Sequence, residues 1–152
     1  MAPTELRRPI TDAEWEAYHN IRRTVLFERR GFIGVYDAVH PDEAAPGNHP
    51  LLLLVDGDPV GTIRVDLSAD VAIFRRVAVR EAMQRRGHGR SMVRLAERFA
   101  RERGTRRVLS HVDRGAIEFY ERCGYVREPG GDTNGATVLM SKDLEARVSE
   151  ER

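Results

Sequence analysis

The chain of 152 residues holds a single cysteine, Cys123, and a single lysine, Lys142. One cysteine excludes an internal disulfide and accords with a reducing compartment such as the cytoplasm. The cysteine and the scattered histidines form neither CxxC nor HExxH, so no metal site is expected. The longest unbroken apolar run, Leu51–Val55, is far too short to cross a bilayer, and Met1–Ile10 lacks the apolar stretch of a secretory signal. Aromatic residues make up only 7%. No stacking platform or helix-turn-helix pattern accompanies them, so nucleic acid is not an expected partner. Two nucleotide-phosphate motifs are missing as well. GxxxxGK[ST] does not occur, and GxGxxG fails because Met92 stands where its third glycine should be.

What is present suits a folded α+β protein. Hydrophobic residues make up 41%, enough for one core, so the expectation is a single domain over 1–152, with its core at about 5–144 and a charged tail at 145–152. The formal charge is only +1, yet its distribution is uneven. Residues 75–107 carry 12 arginines against 3 acidic residues, whereas 1–74 carry 7 against 12. The middle of the chain is a basic zone suited to a polyanionic ligand.

The periodicities set out an order of elements. Thr11 and Glu14 form a capping box, Ile10 and Trp15 can form a hydrophobic staple, and a helix is expected over 12–30, stopping at Gly31. Prolines and glycine make 37–50 a loop without regular structure. Strands are expected at 51–55, 60–67 and 71–79, joined by tight turns. Residues 81–86 connect to a helix over 87–103, followed by a strand at 107–112 and a short helix at 115–122. A last hairpin joins 125–127 to 136–141 across the turn at 130–135. The strand–helix–strand step over 71–112 is a crossover, so those two strands should be parallel neighbours in a mixed, mostly antiparallel sheet.

The chemistry is concentrated in Gln84-Arg85-Arg86-Gly87-His88-Gly89-Arg90-Ser91, which follows the strand ending Val77-Ala78-Val79 and opens the long helix. Unpaired N–H groups at a helix start hold phosphate, and glycine lets the backbone come close to it. Gln84-x-x-Gly87-x-Gly89 resembles the acyl-CoA-binding signature of the GCN5-related N-acetyltransferase superfamily. Ala116-x-x-Phe119-Tyr120-x-x-x-Gly124-Tyr125 resembles that superfamily's second motif, and the element order fits over nearly the whole chain. The resemblance implies the acyl-CoA N-acyltransferase fold, with six to seven strands flanked by about four helices. It also implies acetyl-CoA as cofactor and an amine of a small molecule or peptide as acceptor, attacked directly in a ternary complex. The backbone of Val77 and Val79 would pair with the pantetheine arm, and the N–H groups from Arg85 to Arg90 would cradle the pyrophosphate. Phe119 and Ser91 would complete the cofactor site. Tyr120 would be the general acid at the sulfur, and the N–H of Ala78 or Val79 would stabilise the oxyanion. A homodimer is allowed by the resemblance, without a marked interface.

Two departures from the superfamily pattern stand out. Asp113-Arg114 replaces an asparagine that relatives often carry, and strand 71–79 has no glutamate to serve as base. His111, Asp66 or a water between them remain as candidates, although His111 reads more simply as a buried, satisfied histidine. Arg22, Arg64 and Arg75-Arg76 stand apart: Arg64 and Arg76 lie within strands otherwise rich in apolar residues, where a buried arginine needs a partner, with Asp66 the nearest. They form a structural pair or line an acceptor pocket that recognises a carboxylate. The missing base leaves a second reading, a non-catalytic acyl-CoA sensor of the same fold.

Overall fold

A computed structural model describes residues 3–130 and 135–145. The chain opens with a strand that the periodicity did not announce, β1 (Thr4–Arg7), only four residues long. The capping box then starts α1 (Asp12–Arg22) as expected: Thr11 Oγ1 accepts from the Glu14 N–H at 3.1 Å, and the Glu14 carboxylate accepts from the Ile10 N–H at 2.8 Å. The same carboxylate takes a two-pronged bond from Arg7, which ties β1 to the helix. The staple does not form. Ile10 is 72% exposed, and the Arg8 guanidinium covers Trp15 instead.

The helical segment does run to Gly31, which takes φ +88, but it is not one regular helix. After Arg22 it widens into a π-turn over Arg23–Phe27 and tightens into a 3₁₀ turn over Glu28–Arg30. Thr24 and Val25 are β-branched and weaken regular helix, and the wider turn lets Phe27 reach Arg76. The loop at 37–50 is likewise more ordered than its prolines imply. Pro41 opens a 3₁₀ turn (Pro41–Ala44), the helical position where its missing donor costs nothing. β2 (Asn48–Val55) begins before the expected Leu51 and includes Pro50. β1 reaches only Leu52–Val55, so Pro50 lies where β2 has an open edge.

β3 (Asp58–Ser68), β4 (Val71–Val79), α2 (His88–Glu102), β5 (Arg107–Asp113), α3 (Ile117–Arg122), β6 (Val126–Arg127) and β7 (Thr137–Asp143) follow. The seven strands form one sheet in the order β1-β2-β3-β4-β5-β7-β6. Only β4 and β5 are parallel, joined by the crossover through α2. This is the expected acyl-CoA N-acyltransferase fold, with three α-helices among the described residues rather than about four. β6 pairs with β7 as expected, while most of the turn across 130–135 and of the tail 145–152 lies outside the described residues.

Helices cover both faces of the sheet, which explains why Leu51–Leu54 is apolar without alternation. Leu51 and Leu53 join Ile63, Val65 and Phe74 under α2, whereas Leu52, Leu54 and Ala78 pack against Tyr18 and Ile21 of α1. Behind α3, the Lys142 ammonium donates to Glu97 of α2 at 3.0 Å and to the Cys123 carbonyl at 2.9 Å. The Tyr125 hydroxyl donates to the other Glu97 oxygen at 2.8 Å. This buried network fixes the C-terminus of α3 against α2 and β7.

Candidate active site

The site begins with an irregularity in β4. Thr62 faces Ala78 and Arg64 faces Arg75, so Ile63 alone opposes both Arg76 and Val77. Arg76 is the extra residue of this bulge and takes φ +57, in the left-handed region that a β-carbon disfavours. Just before the bulge β4 leaves β5. Their ladder runs from Val71↔Arg107 to Phe74↔Ser110 and stops. Val77, Ala78 and Val79 therefore keep one edge on β3 and leave the other open. A cleft of about 1290 Å³ lies in the gap, walled by Val77–Val79 on one side and by Ser110–Asp113 on the other.

The start of α2 closes one end of this cleft. Arg85 takes φ +66 and Gly87 φ +85, so the chain curls before the helix begins. Gly87 offers no capping side chain, and no acid stands in the first turn. The N–H groups of that turn lack intrahelical acceptors, which leaves a positive cradle for an anion. Gly89 has a second reason to be glycine: a β-carbon there would lie 3.3 Å from the Phe119 ring. Gln84 turns inward, donating to the Val79 carbonyl at 2.9 Å, so it positions the loop against β4. Gln84, Arg85, Gly87, Gly89, Arg90 and Phe119 line the cleft. Arg86, His88 and Ser91 do not; His88 is half-buried.

Tyr120 of α3 reaches the floor of the same cleft. It is 6% exposed and packs edge-on against Phe119 and Tyr125. Burial pushes its phenol up to about 12, against a smaller downward pull from hydrogen bonding with Ser110. Ser110 and Tyr120 thus meet where β4 and β5 separate. Ser110 was not anticipated; its place as the last β5 residue paired with β4 is a matter of register.

The residues expected to bind acceptor divide. Arg64 and Asp66 line the cleft, joined by a two-pronged ion pair of 2.7 and 2.8 Å. Arg75 adds a contact of 3.0 Å to the same carboxylate. Both Asp66 oxygens are thereby engaged by cations, which removes it as a candidate base. Arg22 does not line the cleft: it is 3% exposed and pairs with Glu43 at 2.7 Å, while also donating to the Tyr18 hydroxyl. Its side chain is structural. Glu43, missed in the sequence because it sits in a proline-bearing loop, also accepts from Arg64 at 3.2 Å and from the Tyr18 hydroxyl at 3.0 Å. His111 is not a buried histidine. It is exposed on β5, in the cleft wall. No metal-binding group of His, Cys, Asp or Glu occurs among the described residues.

The profile of the acetyltransferase (GNAT) family matches residues 8–125. YyaT of Bacillus subtilis, itself uncharacterised, is 24% identical over 146 residues, which is 95% of this chain and 99% of that protein. A Lactobacillus plantarum protein classed provisionally as an N-acetyltransferase is 30% identical and superposes with a TM-score of 0.76, covering 95% of this chain and 99% of its own. The Escherichia coli ribosomal-protein-S18-alanine N-acetyltransferase is 16% identical with a TM-score of 0.72, over 99% of both chains, a likeness of fold.

Proposed function

The chain belongs to the acetyltransferase (GNAT) family and is an acyltransferase, and from this premise we propose that it transfers an acetyl group from acetyl-CoA to the amine of a small molecule or peptide. One observation carries the reading: the open edge of Val77–Val79 runs directly into the uncapped start of α2, with the Tyr120 phenol at the point where the strands part. A solved aminoglycoside 6′-N-acetyltransferase complexed with coenzyme A has the same fold, with a TM-score of 0.77 at 13% identity.

Each residue has a task that its chemistry suits. Val77 and Val79 would pair their backbone with the amide-bearing pantetheine arm, as an added strand does. The N–H groups of the Arg85–Arg90 turn, with Arg85 and Arg90, would hold the pyrophosphate. Acetyl-CoA supplies the acetyl group already activated as a thioester. A phenol at about 12 stays protonated at any working pH, well above a thiol at about 8.5. Tyr120 Oη would therefore keep its proton and act as a fixed hydrogen-bond donor to the departing sulfur. With Asp66 neutralised by two arginines, His111 is the base candidate that the geometry leaves, taking the amine proton directly or through water.

Thermal unfolding with acetyl-CoA, free CoA and a DNA duplex tests the reading. A ligand at about 100 times its Kd adds about 2.7 kcal/mol, roughly 5–10 °C for a domain of this size. A shift with acetyl-CoA and none with DNA is expected, followed by thiol release in the presence of an acceptor. No shift at millimolar acetyl-CoA would overturn the cofactor assignment.

A further inference from the structure

On the α1 side of the sheet, three arginines that line the cleft (Arg64, Arg75 and Arg76) and the buried Arg22 behind them form a group whose charges do not cancel. Arg22, Arg64 and Arg75 share two carboxylates, Glu43 and Asp66. Arg76 is a fourth cation and forms no ion pair among the described residues; its guanidinium lies over the Phe27 ring, 5.6 Å from the centroid. The group thus holds two positive charges without compensation. Burial first, then the nearby Arg22 and Arg64, make Arg76 a weaker base than a free arginine. The bulge is what aims it. Without the extra residue, position 76 would alternate to the face that packs under α2. With it, Arg76 stands on the same side as Arg75 and opens into the cleft. A non-glycine residue held at φ +57 is a strained conformation, of the kind concentrated at ligand sites.

We propose that Arg76, backed by Arg64 and Arg75, binds an oxyanion of the acceptor, so that the substrates are amines that also carry a carboxylate or a phosphate. The proposal rests on the acyltransferase reading above and names its substrate class. A planar guanidinium takes an oxyanion through two parallel hydrogen bonds. A polycationic acceptor would instead meet uncompensated like charge.

The test uses the full chain and thiol release from acetyl-CoA with three sets of amines: amino acids, amine phosphates such as phosphoethanolamine, and amines without an anion such as spermidine and an aminoglycoside. One of the anion-bearing sets should exceed the third in kcat/KM by about tenfold or more, and which one does so identifies the anion. Arg76→Asn keeps a residue that tolerates the left-handed region. It should raise KM for the preferred anionic amine by about tenfold while KM for acetyl-CoA stays within about twofold, and Arg76→Lys should recover part of the loss. Preference for spermidine or the aminoglycoside would overturn the proposal, as would a parallel rise in both KM values. Calorimetric titration of the same amines into the protein decides the case where none turns over: heat that vanishes in Arg76→Asn upholds the anion site, and no heat with any anionic amine refutes it. The acetyl-CoA melting shift is read separately, so failure of the acyl-transfer reading is distinguishable from failure of this one.

Discussion

Removing a single oxygen from Tyr120 should separate its chemical task from its packing. The ring is wedged between Phe119 and Tyr125, and Tyr120→Phe keeps that wedge. We expect kcat to fall by about 10²-fold with little change in KM for acetyl-CoA, measured by thiol release. A parallel rise in KM would assign the hydroxyl to cofactor binding instead. Gly61 gives a second prediction at this scale. A β-carbon there would lie 2.9 Å from the Ala78 carbonyl and 3.0 Å from the Met92 sulfur. Gly61→Ala should therefore cost roughly 1–3 kcal/mol in a urea titration, and it should disturb the very stretch of β4 assigned to the cofactor. Tyr120 was legible in the sequence because its neighbours form a recognisable run. Gly61 was not, because a close approach between β3, β4 and α2 leaves no mark on the local pattern.

The elements teach a similar lesson. Thr11 and Glu14 announced the start of α1, since a cap is a local device whose partners lie three residues apart. The third partner, Arg7, belongs to β1, a strand too short to show its period. Hydrogen bonds from Arg7, then from the Ile10 N–H, lower the Glu14 carboxyl from its ordinary 4.5 to about 2. A carboxyl lowered by folding stabilises the native state above its ordinary pKa, and that contribution is lost as pH falls through the folded value. Melting temperatures followed from pH 5 to pH 2 should therefore fall more steeply for the native chain than for Glu14→Gln; equal slopes would show that the Arg7 contact contributes nothing in solution. The bulge in β4 did leave a trace. Arg75-Arg76 places two charges in succession within a strand that is otherwise apolar, Val71 to Phe74 and Val77 to Val79. The pair follows Phe74, the last β4 residue paired with β5.

Across the whole molecule, the proposed cofactor end was more legible than the proposed acceptor end. The turn at 84–91 and the segment at 116–125 are contiguous, so their glycines, arginines and aromatics show in the sequence itself. The proposed acceptor end is assembled from α1, the loop before β2, and three strands. Glu43 illustrates the difficulty: it sits in a proline-bearing loop, yet accepts from Arg22, Arg64 and Tyr18 on other elements. Its carboxyl is drawn below the usual range by these partners, against an upward push from burial. Glu43→Ala would leave Arg22 buried without a counter-charge, and removal of one partner from such a pair costs roughly 3 kcal/mol. A loss of that size in chemical denaturation would show that the loop is pinned to the core. A loss within about 0.5 kcal/mol, typical of surface positions, would show that it is not.

The network around Glu97 has a consequence beyond stability. Thioesters acylate exposed amines without any catalyst, so a protein that holds one at high local concentration is its own nearest target. The only lysine side chain in the sequence is Lys142, and its nitrogen is committed to the Glu97 carboxylate and the Cys123 carbonyl. The other basic side chains, histidines aside, are guanidinium groups, which do not react as nucleophiles at neutral pH. The arginine-rich zone at 75–107 can therefore be basic without offering a side-chain amine to a bound thioester.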